Sequence, residues 1–163
     1  MRPEGNLAHQ NSWEVCPQPK EHELRLILPA TDAAVRRGLQ TIKHGLEPNG
    51  LAADEVASLE IVLAEILNNI VEHAYADDPE GLIDIRLSQA DDGLHFLISD
   101  RGNMMPGGEP PLGLQANLNC DIADLPEGGF GWFLIRELAH ELRYAHVDGE
   151  NKLSFRMAIG QKR

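Results

Sequence analysis

Aromatic residues make up only 5% of this 163-residue chain, so whatever core it has must be built from aliphatic side chains. Cations are scarce as well. Fourteen Lys and Arg stand against 26 Asp and Glu, a formal net charge of −12. A surface this acidic repels a phosphate backbone and an anionic membrane, which argues against both as partners. Long apolar runs are missing too. Ile61-Val62-Leu63-Ala64 stops at Glu65, and nothing nears the roughly 20 apolar residues of a membrane span. The two cysteines, Cys16 and Cys120, make no CxxC and no metal spacing, which fits a reducing, cytoplasmic setting. The catalytic signatures GxSxG and HExxH do not occur.

What is present is 42% hydrophobic and 25% charged, the balance of a folded domain. A domain of this size buries roughly 68–70% of its unfolded surface. Residues 1–21 carry Pro3, Pro17 and Pro19, show no periodicity and contain no basic-then-apolar leader. They read as a flexible N-terminal arm, with Trp13 and Val15 as its apolar points. Residues 22–163 read as the domain.

His22 to Leu28 alternates and stops at Pro29, the pattern of a strand. Thr31 and Asp32 then offer caps for a helix from Ala33 to about Gly45, and a second, longer helix is expected from Ala52 to Tyr75. Leu82–Leu87 and Leu94–Ser99 flank the turn Asp91-Asp92-Gly93 and predict a hairpin. From Arg101 to Gly129 no period is visible, the mark of a lid or a disordered loop. Leu112, Leu114 and Leu118 are its apolar points. A helix is expected from Gly131 to about Leu142. Two closing strands, Arg143–Val147 and Lys152–Met157, should follow around a turn at Asp148–Asn151. The sum is an α+β two-layer sandwich, with a mixed, mostly antiparallel sheet covered on one face by helices. His-Glu-Leu-Arg occurs at 22 and again at 140, once on an expected strand and once on an expected helix end, and reads as coincidence.

At 100° per residue the long helix has two faces. Leu59, Leu63, Ile66 and Ile70 form a core stripe, and Glu65, Asn69 and His73 form a second stripe at i, i+4 spacing. The polar stripe reads either as a solvated face or as a site. In a site, Asn69 can offer its carboxamide oxygen to a hard cation and Glu65 can accept a proton. Two Asn side by side in a helix interior are costly, which favours the second reading. Asp100 and Gly102 close a strand: either a plain turn, or a carboxylate that accepts from a ligand amino group beside a glycine that lets the ligand approach. Gly128-Gly129-Phe130-Gly131 opens a helix. It is either a hinge or a set of free N–H groups for phosphate, though no P-loop Gly-Lys-Ser/Thr follows.

In order, Glu65-Ile66-Leu67-Asn68-Asn69-Ile70-Val71-Glu72-His73-Ala74-Tyr75, Asp100-Arg101-Gly102 and Gly129-Phe130-Gly131-Trp132-Phe133-Leu134-Ile135 resemble the N, G1 and G2 boxes of the GHKL ATPase superfamily. They look most like those of the anti-sigma-factor serine/threonine kinases. The resemblance implies a Bergerat-type fold and a Mg²⁺-dependent ATP site. In it Asn69 would hold the metal, Asp100 and Gly102 would meet adenine, Gly129, Phe130 and Gly131 would lie at the phosphates with His73 nearby, and Glu65 would be the catalytic base. It implies a cytoplasmic regulator that sequesters a sigma factor and phosphorylates an anti-anti-sigma (STAS-domain) protein on serine or threonine, and it admits a homodimer. With only about 20 irregular residues before the first strand, the upstream helix pair of histidine kinases is not expected. The segment 107–127 has no Lys or Arg to clamp a γ-phosphate, and Met104-Met105-Pro106 stands where many relatives carry Pro-Phe-Asp. Both departures point toward the alternative: a nucleotide-dependent binding regulator without effective kinase activity, whose target need not be a sigma factor.

Overall fold

The computed structural model describes residues 23–113 and 130–160. The expected arm at 1–21, Leu114, Leu118, Gly129 and both cysteines lie outside the described residues.

Alternating side chains set the sheet. Strands β1 (Glu23–Pro29), β2 (Leu82–Ala90), β3 (Gly93–Asp100), β4 (His140–Val147) and β5 (Glu150–Met157) lie in the order β1-β2-β3-β5-β4. Every neighbouring pair is antiparallel. One parity turns inward: Ile83 and Ile85 of β2, Phe96 and Ile98 of β3, and Leu153 and Phe155 of β5 are all at most 4% exposed. Phe96 and Phe155 sit directly opposite each other with ring centroids 4.9 Å apart, so two of the few aromatics stack at the sheet's centre. The two-residue connection Asp91-Asp92 ends at Gly93, whose φ of +130° suits glycine and where a Cβ would strike the Met157 carbonyl.

Among the described residues, three α-helices cover the inward face: α1 (Asp32–Leu46), α2 (Ala53–Asn69) and α3 (Phe130–Leu138). Thr31 caps α1, its Oγ1 accepting the Ala34 N–H at 3.2 Å. Glu55 reaches back to the Ala52 N–H at 2.8 Å and starts α2. The core stripe Leu59, Leu63, Ile66 and Ile70 is buried as its spacing predicts. Beyond Asn69 the helix widens into a π-helical turn, Ile70–Ala74, in which the Tyr75 N–H bonds the Ile70 carbonyl at 3.0 Å. Connections pass directly from β1 to α1, and hairpins close β2–β3 and β4–β5, giving the expected two-layer α+β architecture.

Three boundaries differ from expectation. Helix α3 stops at Leu138 instead of Leu142, and β4 begins at His140. The physical cause is a bulge between His140 and Arg143, with Glu141 at a φ of +55°, which breaks the helical phase with no glycine to announce it. The second His-Glu-Leu-Arg therefore lies on a strand, so the described part of the first copy and the whole of the second occupy the two edge strands of the sheet. The last turn is only Asp148-Gly149, both at positive φ as a tight hairpin requires, so Glu150 and Asn151 belong to β5.

Candidate functional site

Asp100 is the last residue of β3 and has the inward parity, but it reaches past the apolar core to the sheet's end. It is 7% exposed. Its Oδ1 accepts the Gly102 N–H at 2.9 Å and the Asn151 side-chain amide at 2.7 Å. Burial pushes the Asp100 carboxyl above its usual range; the Asn151 and Gly102 hydrogen bonds and nearby His146 pull the other way, while Glu150 adds to the rise. Both hydrogen bonds that described residues give this carboxylate end on Oδ1, which leaves Oδ2 to accept from a ligand.

The chain after Asp100 is fastened to the end of α2. A Cβ at Gly102 would collide with the Ala74 carbonyl, so only glycine allows the loop to pass. The Asn103 N–H bonds the same carbonyl. Tyr75 adds a second fastening: its hydroxyl accepts the Arg101 N–H at 2.8 Å and donates to the Leu82 carbonyl at 2.7 Å. Gly81 lies flat against the Tyr75 ring, where no side chain fits. The N-box helix, the start of β2 and the G1 loop thus meet at one tyrosine.

Glu65, half-buried on α2, lies against the first turn of α3. A Cβ at Gly131 would fall on the Glu65 carboxylate, so this glycine makes room for that carboxylate. One turn along, Asn69 is half-buried, and its Nδ2 is enclosed with no hydrogen-bond partner among the described residues. A native structure rarely leaves such a group unmatched unless a ligand or water completes it. His73, in the wide turn, is 73% exposed in its side chain with Nε2 4.0 Å from Glu72. Phe130 is partly exposed, its ring 5.9 Å from that of Phe133. The structure thus brings Glu65 to Gly131 and Gly102 to the end of α2. Gly129 lies outside the described residues.

Two contributions were not foreseen. Asn151 and its partners Tyr144 and His146 join the Asp100 cluster; the signal was parity, since 151 shares the inward face with Leu153, Phe155 and Met157. Arg136 of α3 holds the loop that follows Asp100, donating to the Pro111 and Pro110 carbonyls at 2.9 Å each. Residues 107–127, which carry no Lys or Arg, thus meet a cation of the neighbouring helix at Pro110 and Pro111. A cavity of about 430 Å³ also touches Asp100 and Tyr75, but Ile27, Asp84, Ser99 and Glu150 in its wall have the outward parity. It belongs to the open face of the sheet and not to the side where Glu65 and Asn69 lie.

The histidine kinase-like ATPase domain, taken as a family, matches residues 28–157 of this sequence. The chain belongs to that family. Among curated relatives of this ATPase domain, the serine-protein kinase RsbW of Bacillus subtilis (strain 168) is 31% identical over 101 residues, which is 61% of this chain and 63% of that protein. The RsbW of Bacillus licheniformis is 27% identical over 115 residues, 70% and 71% of the two chains. The match to the first of these therefore spans less than two thirds of its length. A crystal structure of the RsbU and RsbW domains of Rv1364c from Mycobacterium tuberculosis shares the ATPase fold, with a TM-score of 0.58 at 22% identity over 85% of this chain and 32% of that one. No helix among the described residues is long and apolar enough to cross a membrane.

Proposed function

We propose that residues 22–163 form an ATP-binding anti-sigma factor that phosphorylates an anti-anti-sigma, STAS-type protein on serine or threonine in a partner-switching pathway. The observation that carries this reading is the pairing of a buried acceptor, Asp100, with a carboxylate, Glu65, seated at the start of α3. Sequence likeness to serine-protein kinases supports it.

The donor set fits a magnesium nucleotide. Asp100 Oδ2 matches an adenine amino group, and Gly102 opens the backbone beside it. Asn69 has an enclosed, unmatched Nδ2 that an acceptor such as a phosphate oxygen would complete, while its carboxamide oxygen suits a hard cation. Gly131 leaves its N–H at the head of α3 for phosphate, Gly129 is assigned to the same end from the sequence, and Phe130 and His73 are assigned to the margin. Mg-ATP, when bound, supplies the transferable phosphoryl group and neutralises its charge. Glu65 takes the proton of the acceptor hydroxyl, α3 and Asn69 hold the reacting end in place, and the loop tied down by Arg136 keeps water out. A partner that binds a sigma factor works in the cytoplasm.

Titration calorimetry with ATP and Mg²⁺ tests the binding step, and no heat of binding removes the whole reading. Transfer of labelled phosphate to a cognate anti-anti-sigma protein tests the kinase. ATP-dependent capture of a sigma factor from native lysate tests sequestration. A second reading, a nucleotide-dependent regulator without effective turnover, is favoured by the absence of Lys and Arg from 107–127. Binding of Mg-ATP without transfer to the cognate partner selects it.

A further inference from the structure

Asn151 makes five hydrogen bonds from one side chain. Its Nδ2 donates to Asp100 Oδ1 at 2.7 Å and to the Gly102 and Asn103 carbonyls at 3.1 Å each. Its Oδ1 accepts from the Tyr144 hydroxyl at 2.7 Å and from His146 Nδ1 at 2.8 Å. Three acceptors on one side and two donors on the other leave a single orientation of the carboxamide, and fix the His146 tautomer with its proton on Nδ1. Tyr144 is itself oriented, accepting the Met105 N–H at 3.0 Å. Asn151 is 3% exposed.

These bonds converge on Asp100 and the loop behind it. One amide group occupies Oδ1 and at the same time pins the two carbonyls that follow. The carboxylate is then held at Oδ1, and among the described residues its Oδ2 accepts no hydrogen bond. Resting on the ATP reading above, we infer that Asn151 is the positioning residue of the adenine end: held by Tyr144 and His146 of β4, it locks Asp100 so that only Oδ2 faces the ligand amino group. The β4–β5 hairpin, which follows all three sequence boxes, thereby becomes part of the specificity machinery.

The Asn151 amide also favours the ionised form of Asp100, against the burial that disfavours it. The groups facing this carboxylate are the Gly102 N–H, the Asn151 amide, Tyr144 and His146 from β4, and Glu150 from β5. Removing the amide must move the Asp100 titration to higher pH. Because Oδ1 already accepts two hydrogen bonds, a proton on this carboxyl sits on Oδ2, the oxygen that would face the ligand amino group, so the acid limb of ATP binding must move with it.

The test is a carbon NMR titration of the Asp100 carboxyl in the full, ligand-free chain, with Mg-ATP calorimetry across pH 5–8 run in parallel. In Asn151→Ser the Asp100 midpoint should rise by about one pH unit, and Mg-ATP should bind about tenfold more weakly at neutral pH. Tyr144→Phe keeps the ring and the fold and should move the midpoint the same way by less, which carries the test if Asn151→Ser does not fold. An Asp100 midpoint unchanged in a folded variant overturns the proposal. A parent that binds no Mg-ATP removes the nucleotide reading, while the carbon titration still decides whether Asn151 governs Asp100.

Discussion

The two ends of the site are built differently. At Asp100 nearly every polar group is tied to another: carboxylate to amide, amide to carbonyls, tyrosine hydroxyls to backbone on both sides. At Glu65 and Asn69 the side chains are half-buried, and one amide nitrogen has no partner among the described residues. The first end is fixed by the sheet, which folding assembles whether or not a ligand arrives. The second lies between two helices, α2 and α3, and has fewer fixed partners among the described residues. Under the proposed function, recognition would be preorganised and the transfer end adjustable, a division that suits holding nucleotide before the substrate arrives.

The contrast can be broken most strongly at Glu65. Glu65→Gln should lower phosphoryl transfer by roughly 10²–10⁴-fold and leave ATP affinity within a few-fold, measured by single-turnover transfer and calorimetry. Equal transfer rates would reduce Glu65 to a structural residue. Next come the two glycines. A Cβ at Gly131 meets only the movable end of Glu65, so Gly131→Ala should keep the melting temperature or raise it while transfer falls about 10²-fold through a displaced base. A Cβ at Gly102 meets backbone at Ala74, so Gly102→Ala should cost about 1–3 kcal/mol of stability in denaturant unfolding. The reverse pattern would invert the comparison.

Asp100→Asn should weaken ATP by roughly 10- to 100-fold, the worth of a hydrogen bond to a charged group. The same change should stabilise the protein. Burial raises the folded-state pKa of Asp100 above its unfolded value near 3.8, so the favourable contribution of its proton is complete at lower pH and is lost as pH rises through the folded value. The melting temperature of Asp100→Asn relative to the parent should therefore climb from about pH 4 upward and then level off. A flat difference would show that this carboxylate carries no stability cost. The smallest effect belongs to Tyr75→Phe, which keeps the ring against Gly81 and loses two hydrogen bonds. It should cost about 1–2 kcal/mol in unfolding and only a few-fold in ATP affinity.

Much of this was legible in the sequence, for identifiable reasons. Strict alternation gave β2, β3 and the inner face of β5, and the 100° spacing gave the buried stripe of α2. The boundary between α3 and β4 was not legible, because Glu141 takes a left-handed backbone angle that no glycine or asparagine marks. Asn151 was assigned to a turn, although its parity with Leu153 and Phe155 already placed it inward. Tyr75 was visible only as the end of a motif. Its fastening of two loops depends on chain segments that sequence does not join. The stripe Glu65, Asn69, His73 assumed an unbroken α-helix, and the wide turn after Asn69 alters that phase before His73.

That wide turn has a consequence for how this chain can tolerate insertion and deletion. A π-helical turn holds one residue more than the α-helical turn it replaces. Removing a single residue from 70–74 would restore an ordinary helical turn and leave the residues beyond it close to their present angle. If all five residues wound as ordinary α-helix instead, Tyr75 would be displaced by about 100°, leaving Arg101 and Leu82, and the Ala74 carbonyl would leave Asn103. The turn acts as a spacer of fixed gauge between a packed helix and the loop after Asp100. A one-residue deletion there should give a folded protein, by circular dichroism, that keeps its affinity for ATP within a few-fold.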